Sequence, residues 1–559
     1  MDSASPAPAA QVAAAAATTV LVTLASAQFL MTLDSSVMNV SIATVAEDVG
    51  TTVTGIQTAI TLYTLVMASL MITGGKIGQI LGRKRAFSIG CVIYGAGSFT
   101  TALAPSLPVL LLGWSLLEGM GAALIMPAIV ALVASNFGRA DRPRAYGLVA
   151  ASGAIAVAAG PLIGGLMTTY ASWRWVFAGE VVIVLGILVL ARRMADVEPD
   201  RSARLDLTGT ALSAAGLGLV VFGILQGGSW GFVNPKPSAP SWLGLSPVIW
   251  LVIAGGLVLR GFLGWERRRL ARGEAALIDP AMLENKLLRG GLTSFFFQYL
   301  LQAGLFFAVP LFLSVSLGLS AIETGLRIMP LSVTLLLAAV GVPKFFPLAS
   351  PRRVVRLGFL ALFAGIVSLM LALEVGVGPE VVTVPMLLAG LGIGALASQL
   401  GAVTVSAVPD EESAEVGGLQ NTLTNLGASI GTAVAGAVLI SALTASFFAG
   451  IQGNPAVPEE LSAQAEVNLA GGVPFIADDQ LEAALADVGV TGDTATAVVE
   501  ENTEARLDGL RTSLSVLAVI ALVALFFSSG VPTRQPGAER VTDELPVPGT
   551  EPVRGADPP

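Results

Sequence analysis

The sequence predicts an all-α protein that crosses a membrane many times, and three observations carry that prediction. Of its 559 residues 54% are hydrophobic and only 12% charged, with a mean hydropathy of +0.78, where an ordinary soluble domain has about 25% charged residues. Apolar segments long enough to span a bilayer recur along the whole chain. The loops between them carry Lys and Arg on every second turn of the path. A soluble protein of this length would divide into domains of roughly 100–200 residues each, but so few charges could not cover their surfaces, so the apolar surface must face lipid. Cys91 is the only cysteine and there is no histidine, which excludes an intramolecular disulfide and makes zinc or Cys-nucleophile chemistry an unsuitable reading. The net charge of -9 is local: residues 448–510 hold 12 Asp/Glu and 1 Arg, and the remainder is slightly basic. The acidic balance therefore reports one exposed segment and points to no nucleic-acid partner.

A hydrocarbon core of about 30 Å needs about 20 apolar residues per helix. Fourteen such segments begin near residues 20, 54, 86, 108, 145, 174, 207, 246, 291, 325, 354, 381, 416 and 512. The first carries Gln28, Asp34, Ser35 and Asn39; it follows an Ala/Pro-rich stretch without Lys or Arg, which lacks the basic region of a signal peptide, so the first span is expected to stay in the mature chain. The second runs into Gly75, and Arg83-Lys84-Arg85 leads into the third. Glu118 falls in the fourth, Gly160-Pro161 in the fifth and Glu180 in the sixth. The ninth is rich in aromatics, and the eleventh follows Arg352, Arg353 and Arg356. With both termini inside, loops after even-numbered helices hold nearly all the cations, the bias expected of cytoplasmic loops; Asp410-Glu411-Glu412 is the exception.

Two parts of the chain match at a nearly constant offset. Gln28 and Gly55 pair with Gln298 and Gly325, Lys76, Lys84 and Arg85 with Lys344, Arg352 and Arg353, and Gly119, Gly121, Gly147 and Gly160 with Gly390, Gly392, Gly418 and Gly431. Three blocks in order suggest a duplicated six-helix unit. The expected division is a flexible N-terminal tail at 1–17, an N-terminal six-helix half at 18–195, two inserted helices at 196–270 and a C-terminal half at 271–529. An acidic extracellular loop at 448–510 lies within the last, and a Pro-rich disordered cytoplasmic tail follows at 530–559. Asp479 and Glu482 are spaced like a capping box, which predicts short helices in the acidic loop.

Gly75-Lys76-Ile77-Gly78-Gln79-Ile80-Leu81-Gly82-Arg83-Lys84-Arg85 resembles the cytoplasmic signature loop of the major facilitator superfamily, and Gly160-Pro161-Leu162-Ile163-Gly164-Gly165 resembles that superfamily's antiporter motif. Leu33-Asp34-Ser35-Ser36-Val37-Met38-Asn39-Val40 and Trp173-Arg174-Trp175-Val176-Phe177 look like the fourteen-helix drug:proton antiporter branch. The resemblance implies the major facilitator fold, two six-helix halves plus two inserted helices, and a hinge-and-lock role for the basic loop. Gln79 stands where relatives usually have Asp, so Arg83, Lys84 and Arg85 lack that acidic partner. A basic loop also follows from topology alone, and a Gly-Pro pair in mid-helix from close helix packing.

A charged group near the bilayer centre costs about 2.5–3.5 kcal/mol on insertion scales, so carboxylates within spans mark function. Asp34, Glu118 and Glu180 lie at similar depth on helices one, four and six and are the candidates for proton coupling. Asp34 matches the family's acidic position on helix one. Glu118 falls where relatives usually have Gln, with Ser115 in place of their Arg, and Glu180 where they have Asn; a bonded packing role is the competing reading for Glu180. Gln28, Thr32, Ser35 and Asn39 share one stripe of helix one and Asp34 lies off it, so either face could line a substrate cavity. Phe297, Gln298 and Phe306 on helix nine are further cavity candidates, since rings there could stack on a flat or cationic substrate. Glu323 and Arg327 read as an exposed pair.

No G-x-x-x-x-G-K-[ST] loop exists to bind ATP, and no nucleophile and base pair up, so the chain reads as no enzyme and as needing no cofactor or metal. The reading is a monomeric proton-coupled antiporter of the cell membrane. It exports small amphipathic compounds, cations and antibiotics among them, against protons by alternating access among membrane lipids. A dedicated exporter of one endogenous metabolite or lipid, and a non-transporting membrane sensor or assembly partner acting through the acidic loop, are the alternatives.

Overall fold

The computed structural model describes residues 8–51, 53–138, 141–194, 196, 204–236, 239–409, 412–469 and 473–535. Its apolar segments form α1 (Pro8–Asp48), α2 (Val53–Leu81), α3 (Arg83–Ala102), α4 (Leu107–Asn136), α5 (Arg142–Tyr170), α6 (Arg174–Ala191) and α7 (Leu207–Leu225). They continue as α8 (Pro247–Ala271), α9 (Lys286–Ser316), α10 (Ala321–Phe345), α11 (Pro351–Ala372), α12 (Thr383–Val405), α13 (Ser413–Gly453) and α14 (Asp493–Phe527). Twelve of these contain stretches long and apolar enough to cross a membrane. The other two, α3 and α5, are diluted by Arg83-Lys84-Arg85 and by small residues, and complete the fourteen. Among the described residues the β-pairing is one isolated bridge, Trp242 with Leu245.

Helix ends fall where side chains can satisfy the first free N–H groups. Asp206 accepts from Thr208 N at 3.0 Å to start α7, and Asn285 from Leu287 N at 2.9 Å to start α9. Ser320 and Glu323 form a reciprocal capping box on α10. Glu323 is thus spent on its own helix end, bonding Ser320, where the sequence had suggested a pair with Arg327.

Helices α1 to α6 pack on one another, as do α9 to α14, while α7 and α8 pair through Gly216 and Gly255, with α7 lying against α2 and α13. The two groups meet where α2 and α4 touch α13 and where α5 touches α10 and α12. Val182, Leu185 and Val189 on α6, Leu257 on α8, Leu357 on α11 and Phe526 on α14 are exposed around the bundle. Apolar surface on that scale requires lipid.

Backbones approach closely where glycine removes the side chain. A Cβ on Gly431 of α13 would stand 2.0 Å from the Leu300 carbonyl oxygen of α9. Gly431→Ala is therefore expected to cost about 1–3 kcal/mol, read as a lower melting temperature of purified protein, whereas Gly256→Ala, with nothing within 4 Å of the new methyl, should leave it unchanged.

At one end of the bundle α13 and α14 run beyond any bilayer, and their extensions enclose a small core of Phe447, Ile451, Val457, Val473 and Val498. Two short helices, Glu459–Asn468 and Asp478–Asp487, complete this acidic cap. The second begins at Asp478, not at a cap formed by Asp479, because Asp478 is held by the guanidinium of fully buried Arg506, which also donates to Ile476 O at 2.7 Å. The loop expected at 448–510 is hence largely helical. At the opposite, basic end Val531 and Pro532 accept from Arg352, and Gln535 donates to Gln399 Oε1 at 3.0 Å, so the first residues of the expected disordered tail are held; 536–559 lie outside the described residues. Likewise α1 starts at Pro8, so the segment expected as a flexible tail contributes its first turns; Asp410 and Glu411 fall outside the described set.

A buried carboxylate cluster and an ion pair across the halves

Asp34 of α1, Glu118 of α4 and Glu180 of α6 come together inside the first helix group, each fully buried or 1% exposed, with one oxygen of each within 4.8 Å of the others. Three anions at that spacing repel one another, and burial away from water penalises each charge. Among the described residues no Lys or Arg ion-pairs with any of the three. The cluster is stable only if protons, or one hard cation on the same all-oxygen donor set, neutralise most of that charge.

Local structure explains how the side chains meet. Residues Leu111–Glu118 of α4 form a π-helical stretch that brings both Trp114 and Glu118 to the cluster. The Trp114 Nε1–H donates to Asp34 Oδ1 at 2.8 Å and Oδ2 at 2.9 Å, and its ring stacks on Tyr63 of α2 at 5.3 Å and 3°. Ser98 and Thr101 of α3 donate to Glu180 Oε2 at 3.0 Å and Glu118 Oε1 at 3.3 Å. Ser115 donates instead to Ala59 O at 2.8 Å, tying α4 to α2. Glu118 Oε2, Glu180 Oε1 and the Tyr94 hydroxyl are buried without partners, leaving room in the hydrogen-bond network for added protons. Gly97 makes the approach possible, for a Cβ there would meet Glu118 Cγ at 2.6 Å and Gly113 O at 2.7 Å.

The remaining sequence candidates fall elsewhere. Gln28 donates to Thr32 at 3.3 Å, and both face Gly153 of α5. Gly160 and Gly164 of α5 receive Ser36 and Val37 of α1, so the antiporter-like run packs α5 onto α1; Gly165 lies on the same helix, and the Pro161 and Asn39 side chains are outside the described set. Ser35 is partly buried on α1. Phe297 stacks on Phe527 of α14 at 5.6 Å, Phe306 packs into the second group's core, and Gln298 is buried there with Oε1 unpartnered. Phe297 is thereby engaged in packing between α9 and α14.

In the signature loop Gly75 is buried and Gly82 adopts φ 95°, the left-handed turn between α2 and α3 that favours glycine. The acidic partner missing at Gln79 is supplied by Asp196, which accepts from Lys84 N at 3.0 Å. Arg83 reaches Ala131 O at 3.3 Å, Lys84 Nζ reaches Arg192 O and Met194 O, and Arg85 is exposed. None of these crosses between the helix groups. Lys76 does: its Nζ donates to Gln79 Oε1 at 2.6 Å and to Glu415 Oε1 of α13 at 3.0 Å, both charged side chains being under 10% exposed. Nearby, Gly417 packs on Pro127, Gly418 on Met71, Gly401 on Tyr146 and Gly147 on Ala339, so the basic end is shut. Trp114, Tyr94 and Glu415 escaped the sequence reading; the spacing of Trp114 four residues before Glu118 was the available signal.

Two packed six-helix groups with a further helix pair, acidic side chains buried inside the first group and lipid-facing apolar surface define a polytopic membrane transporter rather than an enzyme. The chain belongs to the Major Facilitator Superfamily, whose family model matches residues 24–432. It is similar to the puromycin resistance protein pur8 of Streptomyces alboniger, 31% identical over 450 residues, covering 78% of this chain and 84% of that one. It also resembles the tetracenomycin C resistance and export protein of Streptomyces glaucescens, 25% identical over 547 residues and covering 96% and 95% of the two chains. The crystal structure of the human organic anion transporter MFSD10 shares the fold, with TM-score 0.54 at 12% identity over 93% of this chain and all of that one.

Proposed function

We propose that this transporter is a proton-coupled antiporter of the cell membrane that exports amphipathic organic compounds, antibiotics among them, by alternating access. The observation that carries the reading is the sealed cluster of Asp34, Glu118 and Glu180: buried acids without a basic partner are natural proton carriers, and the chain has no histidine to replace them. The relatives above are named for resistance and export, which supports an outward direction for organic cargo. With the basic end taken as cytoplasmic by its cations, the Lys76–Glu415 contact closes the inner side and the cargo leaves on the acidic-cap side.

Because the three carboxylates are closed off within the first helix group, proton and cargo need not compete for the same atoms. Protonation changes the charge inside that group, and the altered packing of α1, α4 and α2 shifts the balance between inward-open and outward-open forms. In a drug-sensitive host, expression should raise the inhibitory concentrations of several amphipathic antibiotics, puromycin first, and a protonophore should remove the effect. Resistance that survives collapse of the proton gradient would contradict the coupling; resistance to a single compound would favour a dedicated exporter.

Orientation has its own test. With Cys91 replaced, Ala463→Cys on the exposed acidic cap should react with an impermeant thiol reagent on intact cells and Thr533→Cys should not. Ala463 suits the purpose better than Ser462, which is 5% exposed.

A further inference from the structure

Resting on the proton-coupling reading, we infer that Trp114 is the positioning residue that sets how readily Asp34 takes up a proton, and that it passes the result to α2 through Tyr63. Next to Trp114 on α4, the Ser115 hydroxyl is spent on Ala59 O. The donor that actually reaches Asp34 is the neighbouring indole, which bonds both carboxylate oxygens at 2.8 and 2.9 Å. A single N–H shared by two oxygens matches an anionic carboxylate, since a protonated one offers only one good acceptor and brings its own donor.

The groups that face Asp34 make the indole decisive. Glu118 from α4 and Glu180 from α6 oppose its ionisation, Tyr94 from α3 has an unpartnered hydroxyl, and Tyr63 from α2 stacks on the indole. Among the described residues no cation offsets the two glutamates, so the Trp114 N–H is the donor that favours the charged form of Asp34 against them. When Asp34 is protonated the double contact loses its purpose and the ring is free to shift. Its face lies flat on Tyr63, on the helix that carries Lys76 at its basic end. A rigid α2 is thus a direct path from the proton site to the Lys76–Glu415 contact.

The test is the pH profile of substrate-driven proton exchange in proteoliposomes, comparing the parent with Trp114→Phe, which keeps an aromatic ring against Tyr63 and removes the N–H. Loss of a charge-assisted hydrogen bond should let half-maximal exchange occur at about tenfold lower proton concentration. A lower rate with the same midpoint would make Trp114 a packing residue only and overturn the inference. Absence of substrate-driven exchange in the parent would instead sink the proton-coupling reading itself. Should Trp114→Phe fail to fold, the tryptophan N–H vibrational signal of the parent decides: it should change with pH, and the change should vanish in Asp34→Asn. A pH response that persists in Asp34→Asn overturns the link.

Discussion

Asp34→Asn is expected to reduce substrate-coupled proton movement to the level of empty vesicles, and Glu118→Gln to reduce it strongly. Both substitutions keep size and hydrogen-bonding capacity: the amide oxygen at position 34 can still accept from Trp114, and that at 118 from Thr101. What they remove is titration. Because one oxygen of each acid lies within 4.8 Å of the others, their titrations are expected to be coupled, and a neutral amide in the cluster also weakens the repulsion that makes the remaining pair hold their protons. The larger loss is expected at Asp34, which has the Trp114 contact and the helix-one position on which the family resemblance rests. Protein amount and thermal stability should stay close to the parent, because replacing a charge-prone buried acid by its amide leaves the packing intact. Coupled movement at the parent rate in both single variants and the double variant would refute the carboxylate mechanism.

Lys76→Met is expected to open the basic end. Removing one partner of a buried pair leaves Glu415 charged without its counter-ion, a loss of about 3–5 kcal/mol, enough to move a two-state population by roughly two to four powers of ten. Spin labels at exposed Arg85 and Arg353, one on each helix group, should report a longer distance in the variant. Glu415→Leu added to Lys76→Met removes the orphaned charge and should restore much of the short-distance population. Gln79→Asp acts in the opposite direction, because Gln79 Oε1 already receives the Lys76 proton at 2.6 Å and a carboxylate there adds charge to that bond. Unchanged distances in Lys76→Met would show that glycine-mediated packing at Gly417, Gly418 and Gly147 closes this end without help from the pair.

Helix number and approximate starts were legible because lipid imposes a length and an apolar composition that local sequence must state outright. The carboxylates were legible for the same reason: an acid in an apolar span is conspicuous. Their meeting was not, because depth along a helix says nothing of rotation about its axis. Glu180 shows the difficulty, since a bonded packing role was the competing reading for it and α3 carries Ser98 to it from a segment with no acidic residue of its own. Trp114 was hidden in a different way. In an apolar run an indole looks like packing, and only its N–H direction, which depends on the π-helical stretch of α4, turns it into a ligand of Asp34. The Lys76–Glu415 pair joins residues 339 positions apart, and no periodicity or repeat offset connects them. For the aromatics of α9 composition could not show the partner: Phe297, a candidate for a binding surface, stacks on Phe527.

The most direct measurement uses the parent protein in sealed proteoliposomes with a pH-sensitive dye inside and sodium-free buffer on both sides. Adding to one side an amphipathic compound to which expression of the protein confers resistance should drive protons the opposite way, at a rate that saturates with that compound and disappears in Asp34→Asn. Substrate movement without any proton movement, or with proton movement that Asp34→Asn leaves intact, would contradict the account.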